Sequence, residues 1–270
     1  SESFRSLARV LKSSRFLGHI RASSPGAAIS EANCHPFVFG SRTNAALTFM
    51  HNGAVAHHSQ VRRAILAELS EEAFAEIRGT TDSEMLGAVT FDFLRKKYGL
   101  QSYNAEQLLE ALKHVIGTVT RHVDALSASK RWSLWDISSS LNVCVSSARA
   151  VAVARFRNSR MDPPTLFYQI GMGVSSDSLE RRLDCRCLSF RLRQLQDIVT
   201  VASSARATTL IVASEPFLNN EMWHCLPRNT ALAFDRDESK VLVLDVEIPH
   251  QRCRVALRNA LKKVREKSKI

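Results

Sequence analysis

The stretch Leu141-Asn142-Val143-Cys144-Val145-Ser146-Ser147-Ala148-Arg149-Ala150-Val151-Ala152-Val153-Ala154-Arg155-Phe156 is rich in valine and small apolar residues, and it marks a change of character along the chain. Short apolar runs of this kind read as buried strands. Others follow at residues 165–171 (TLFYQIG), 208–214 (TTLIVAS), 230–235 (TALAFD) and 240–248 (KVLVLDVEI). Upstream, apolar residues recur at helical spacing and predict helices over 59–76, 82–98 and 104–127. The second of these opens with Thr81-Asp82-Ser83-Glu84, a good N-terminal capping sequence. Further upstream, PFVFG (36–40) and AALTFM (45–50) flank the turn-prone Gly40-Ser41-Arg42-Thr43-Asn44 and read as a hairpin. The chain starts with Phe4, Leu7, Ala8 and Leu11 at helical spacing, then RFLGHIR (15–21), which alternates like a strand. Strands, a block of helices, then more strands suit a layered α+β domain better than a βαβ alternation.

Composition sets the outer limits. With 270 residues, 45% hydrophobic and 23% charged, the chain has the material for one large folded domain or two small ones. No window approaches the roughly 20 uninterrupted apolar residues that cross a bilayer, and no secretory run opens it, so the expectation is a soluble, cytoplasmic protein. The formal charge of +11 would favour anionic partners, but much of the excess lies in residues 181–193 and 252–269. The second stretch spaces Leu257, Ala260, Leu261 and Val264 as a modest apolar stripe beside a basic face. No aromatic stacking set interleaves with those charges, so the tail, 249–270, reads as a solvated helix, with no nucleic-acid and no membrane contact. Residues 175–205 are polar, basic and Ser-rich without clean periodicity, and read as a loop or local insertion. The six cysteines are scattered without zinc spacing, and are expected to be reduced.

Three short segments put polar residues and glycine where strands end: residues 18–26 (GHIRASSPG), 49–53 (FMHNG) and 79–84 (GTTDSE). In the first, Arg21 ends a strand, where a fixed guanidinium can grip a carboxylate or pair with a structural one. In the second, Asn52-Gly53 is first of all a turn dipeptide; alternatively an Asn carboxamide and a Gly N–H can form an oxyanion hole. In the third, Asp82 stands at a helix start, as a cap or as the partner of an ammonium group. His35, His51, His57 and His58 fit no metal-ligand spacing, and His35 and His51 read as core or supporting hydrogen-bonding residues.

Singly these signals are weak, but HIRASSPG, NCHPF (33–37), FMHNG and GTTDSE follow one another in an order and spacing that resemble the active-site segments of class II glutamine amidotransferases. The resemblance is strongest to the fungal branch that serves cytosolic glutathione degradation. It continues through LNVCVSS (141–147), ARFRN (154–158), PPTLFYQ (163–169) and LIVASEP (210–216), spanning residues 1–248 apart from 175–205. It implies the four-layer αββα sandwich of the N-terminal-nucleophile hydrolases and attack on a γ-glutamyl amide, of glutamine or of glutathione. By the same resemblance Arg21, helped by Ser24, holds the α-carboxylate of the glutamyl group and Asp82 its α-ammonium. Asn52 and Gly53 form the oxyanion hole. No metal and no cofactor is implied, and a peptidase subunit is the implied macromolecular partner.

In that family the nucleophile is a terminal cysteine whose own α-amine is the base. The sequence opens with Ser1 on a helical pattern resembling the helix that precedes the arginine strand, and the family's first strands have no counterpart. Cys34 is internal, without a free amine. The expectation is therefore an N-terminally truncated domain, inactive by itself, that keeps the receiving half of the site. A non-catalytic glutamyl-binding or scaffold subunit is the alternative.

Overall fold

In the computed structural model the described residues are Val10, 13–20, 30–41, 43, 45–130, 138–159, 161–171, 199–201, 209–216, 223–238 and 240–246. The predicted hairpin forms from Phe37–Phe39 (β1) and Leu47–Ala54 (β2), antiparallel, with Phe37 opposite Phe49. The helices are His58–Leu66 (α1), Glu71–Phe74 (α2), Asp82–Tyr98 (α3) and Ala105–Lys130 (α4). The single helix expected over 59–76 is thus two. Ser70 ends the first pattern because its hydroxyl accepts from Ala73 N, capping α2, while donating to Asp92 of α3. That second contact is tertiary, so local periodicity carries no trace of it. α3 begins where its capping sequence predicts, with Thr81 accepting from Glu84 N at 3.2 Å. Asn104 and Gln107 cap α4 reciprocally, each side chain accepting from the other's backbone N–H at 2.9 Å.

The strand-rich part yields Ser140–Ser146 (β3), Ala150–Arg157 (β4), Phe167–Gly171 (β5), Val199–Val201 (β6), Thr209–Ala213 (β7), His224–Cys225 (β8), Thr230–Asp235 (β9) and Lys240–Asp245 (β10). Among the described residues they assemble, all antiparallel, into a seven-stranded sheet ordered β1-β2-β3-β4-β9-β10-β6 and a three-stranded sheet ordered β7-β5-β8. Two expectations are corrected. Val199–Val201 lies inside the stretch expected to be loop, yet pairs with β10; a three-residue edge strand whose partner is forty residues away has too little pattern to be read locally. Residues 15–20 form no strand, since alternation supplies no neighbour to take the backbone hydrogen bonds.

Period-two alternation gives the large sheet two different faces. On one, Leu47, Phe49, Leu141, Val143, Ala152 and Ala154 meet Leu86 of α3 and Leu112 and Ile116 of α4 in a continuous apolar core. Gly87 lets α3 come close, because a Cβ there would stand 2.3 Å from the ring of Phe39. On the other face, Val153, Leu232, Val241 and Val243 meet Tyr168, Ile170, Leu210 and Val212 of the small sheet. Helices, sheet and sheet are three successive layers of the αββα sandwich; no second helical layer occurs among the described residues.

Candidate active site

β2 does not stop before Asn52-Gly53, as a turn dipeptide would require. It runs on to Ala54, with Asn52 opposite Asn142 and Gly53 opposite Leu141 of β3. Glycine is needed here for two reasons. Its φ of +151° is one that side chains rarely adopt, and a Cβ would lie 1.9 Å from the carbonyl oxygen of Ser140. Asn52 is exposed, on the sheet face turned toward the small sheet. The register continues its row across the sheet as Asn52, Asn142, Arg155 and Thr230. One row further in, the same face is Met50, Cys144, Val153 and Leu232, and apolar. The polar groups therefore gather at one end of the space between the sheets.

Asp82 is brought to that same end. The helix cap is Thr81, which leaves Asp82 as the first helical residue with its carboxylate free for other donors. Oδ2 accepts from the backbone N–H of Val55 at 2.9 Å, two residues past Gly53, and Oδ1 from that of Ser83 at 2.8 Å. Among the described residues no cationic side chain is paired with Asp82. The nearby His58 does not supply a charge at neutral pH. Burial pushes its pKa below the ordinary 6.5, against the pull of Asp82.

The underside of β2 is tied down as well. His51, buried on the helix side, has Nε2 3.2 Å from the carbonyl oxygen of Ser140 and Nδ1 3.0 Å from Ser83 Oγ. A carbonyl can only accept, so Nε2 carries a proton, while the Ser83 hydroxyl lies between Nδ1 and the Asp82 carboxylate, 3.4 Å from Oδ1. This imidazole links the residue after Asp82 to the carbonyl lying over Gly53, and so fixes the distance between the two candidate groups. The loop before α3 is held by the buried Glu84, which accepts from Arg78 N and Gly79 N at 2.7 Å each. Asn33, of the NCHPF segment, accepts from Thr80 N at 3.0 Å.

Asn52, Gly53 and Asp82 are thus brought together, whereas Arg21 and Ser24 lie outside the described residues, as do the tail beyond 246 and most of 175–205. Of the described cysteines, Cys144 faces the inter-sheet space, its thiol pushed up to about 12 by burial, which leaves almost no thiolate at neutral pH. Cys34 is exposed at the end of the 3-10 turn Glu31–Asn33.

Several residues of this arrangement carry no role in the sequence reading: Ser83, Glu84, Ser140, Asn142 and Arg155. Arg155 is buried, donates to the carbonyls of Pro163, Pro164 and Leu226, and has no ion pair among the described residues. A signal for two of them was available. Asn142 and Arg155 are polar residues inside otherwise apolar strands, and buried polar side chains need a reason.

Residues 3–127 match the family of class II glutamine amidotransferases. Over 241 residues the chain is 29% identical to "Probable glutamine amidotransferase DUG3" of Saccharomyces cerevisiae, an alignment covering 87% of this chain. The chain spans 61% of that relative's length. Among solved structures, a glutamine aminotransferase class-II domain protein of Silicibacter pomeroyi shares the fold, with a TM-score of 0.51 and 18% identity over 91% of this chain and 80% of that one. By sequence, residues 3–127 are thus similar to the class II glutamine amidotransferases, and the fold resembles that of a solved protein of that description.

Proposed function

We propose that the protein hydrolyses a γ-glutamyl amide, with glutamine or glutathione as substrate, and that the cluster at the end of β2 receives the glutamyl group. The observation that carries this reading is the bond from Val55 N to Asp82, which sets a carboxylate without a cationic partner beside Asn52-Gly53. Asp82 takes the substrate α-ammonium. Arg21, with Ser24, takes the α-carboxylate. With its zwitterionic end fixed by opposite charges, the γ-carbonyl lies against the Asn52 carboxamide and the Gly53 N–H, which donate to the oxygen as it becomes an oxyanion. The attacking group is a terminal cysteine thiol whose proton passes to its own α-amine and then to the departing nitrogen, leaving a γ-glutamyl thioester for water to open. Neither Cys144, protonated and between the sheets, nor the internal Cys34 is assigned that attack. A peptidase subunit as partner, and glutathione as the substrate shared with it, belong to the same reading through the sequence resemblance.

The test is glutamate release by the full-length protein from glutamine and from glutathione. Asn52→Ala should lower kcat by about 100-fold with little change in KM. Asp82→Ala should act mainly on KM. Release from neither substrate, or an Asn52→Ala enzyme with unchanged kcat, would overturn the reading.

A further inference from the structure

Asn142 is 4% exposed, and its Oδ1 is buried without a hydrogen-bond partner among the described residues. The other end of the same carboxamide is fully committed: Nδ2 donates to the carbonyls of Pro164 at 2.9 Å and Thr165 at 3.2 Å. Two carbonyl acceptors can only face an N–H, so the amide cannot be the other way round. The direction of Oδ1 follows. The Pro164 carbonyl also accepts from Arg155 Nε at 2.9 Å, and Arg155 is the neighbour of Asn142 on β4. With Nδ2 turned to the β4 side of β3, Oδ1 is turned to the β2 side, where the residue directly opposite on the same face is Asn52.

Side chains directly opposite on antiparallel strands have Cβ atoms about 5 Å apart, within reach of a hydrogen bond between two carboxamides. Asn52 is exposed and its carboxamide bonds no described residue, so the two carboxamides stand side by side without a hydrogen bond in this structure. The second orphaned atom of this face, Ser140 Oγ, stands between Ala54 and Arg157, and the Arg157 guanidinium donates to Ser138 and to the Asp162 carbonyl instead.

We infer that Asn142 is a positioning residue: its Oδ1 is placed to accept one N–H of the Asn52 carboxamide when that side chain turns inward on substrate, which directs the other N–H to the substrate carbonyl. This rests on the proposed role of Asn52. A carboxamide can present either its NH2 or its oxygen to a ligand, and only the NH2 stabilises an oxyanion, while the oxygen would repel it. Rotation about the last side-chain bond is soft and two-fold, so an unsupported Asn52 would spend much of its time reversed. A fixed acceptor on the neighbouring strand removes that choice, since the reversed amide would set oxygen against oxygen. Asn142 touches neither substrate nor nucleophile in this arrangement and acts through Asn52 alone.

The experiment is a double-mutant cycle on the full-length enzyme, using Asn52→Ala and the near-isosteric Asn142→Leu. Asn142→Leu should lower kcat by about tenfold with KM within about twofold, and should have no further effect on kcat when Asn52 is already alanine. Independent, multiplying effects on kcat overturn the inference, and so does an unchanged kcat in Asn142→Leu beside a lowered one in Asn52→Ala; the oxyanion reading then survives. An unchanged kcat in Asn52→Ala overturns both, and the single variant identifies that case. If Asn142→Leu does not fold, side-chain amide NMR of the wild-type protein saturated with glutamine or glutathione decides. One Asn52 Nδ2 proton exchanging more slowly than its twin supports the inference, and two protons exchanging at the rate of a free carboxamide overturn it.

Discussion

The two faces of the seven-stranded sheet treat their polar side chains differently. On the face turned to the helices the buried polar side chains of the strands are provided for, although His58 Nε2 and Arg62 Nε within the helical layer are buried without partners among the described residues. His51 has both ring nitrogens engaged, Glu84 bonds two backbone amides, and Asp235, fully buried, accepts from Arg149, Ala105 N, Asp237 N and Glu238 N. On the side turned to the small sheet, Ser140 Oγ and Asn142 Oδ1 are buried without partners among the described residues, and Arg155 donates to backbone carbonyls rather than to an acid. Leaving a buried polar atom unmade costs about 1–3 kcal/mol, so a face that collects such atoms is built for something other than stability. The helix face holds the domain together, while the inter-sheet face keeps polar groups available at its open end.

The largest effect that could break this division is at Asp235. Its carboxylate ties the start of α4 to the β9–β10 turn and to Arg149, whose Nε lies 2.9 Å away. Asp235→Ala removes a fully buried carboxylate from a part-exposed arginine and strands several buried amides, so urea denaturation should show a loss of about 3 kcal/mol. A loss below about 1 kcal/mol would mean that polar groups on the helix face are not structural. Next is Gly53→Ala, at the point where the two faces meet. The new Cβ would collide with the Ser140 carbonyl, so the end of β2 must peel from β3, at about 2 kcal/mol and with loss of the His51 bond to that carbonyl. Unchanged stability, together with an unshifted His51 ring in NMR spectra, would refute that account.

A serine on each face offers a sharper comparison, because the same substitution should have opposite signs. Ser83→Ala takes the hydrogen-bond partner from buried His51 Nδ1 and should destabilise by about 1–2 kcal/mol. Ser140→Ala removes a buried hydroxyl that bonds nothing among the described residues, and should be neutral or stabilise by up to about 1 kcal/mol. Two losses of equal size in thermal or chemical denaturation would erase the distinction between the faces.

Much of this was legible in the sequence. The order of strands, helices and strands, the cap at Thr81 and the segments around Asn52 and Asp82 are local patterns, and local patterns can be read. What escaped depends on register or on contacts distant along the chain. Ser70 splits a helix through Asp92, twenty-two residues on. β6 exists because β10 pairs with it. Asn142 reads as one polar letter in an apolar strand until the register sets it opposite Asn52. Asn52-Gly53 itself was legible as a candidate site but was expected after a strand rather than within one, because the dipeptide's turn preference is overridden by pairing with β3.

The smallest effect comes from titration, and it lies outside the sheet on the helical surface. Glu68 receives two hydrogen bonds from Arg121, at 2.8 and 2.9 Å, and contacts His122 at 2.8 Å. The Arg121 bonds, above all, hold its carboxyl at about 2, below the usual 4.5. The folded carboxyl therefore binds its proton less readily than the unfolded one. Its contribution is whole above pH 4.5 and drains away as pH falls from there toward 2. With the Glu68 side chain 44% exposed, solvent screening keeps the net value below about 1 kcal/mol, and it should shrink further in high salt. His58 acts at higher pH in the same direction. Burial lowers its folded value beneath 6.5, so stability is full above pH 6.5 and falls as protonation favours the unfolded chain below it. Denaturation curves from about pH 7.5 down to about pH 2 for wild type, Glu68→Gln and His58→Gln should separate the two. Glu68→Gln should flatten only the lower limb and His58→Gln only the upper. An acid limb unchanged in Glu68→Gln would move the acid sensitivity of the domain from the helical surface to buried carboxylates such as Asp235, and would blur the comparison from the side least expected to matter.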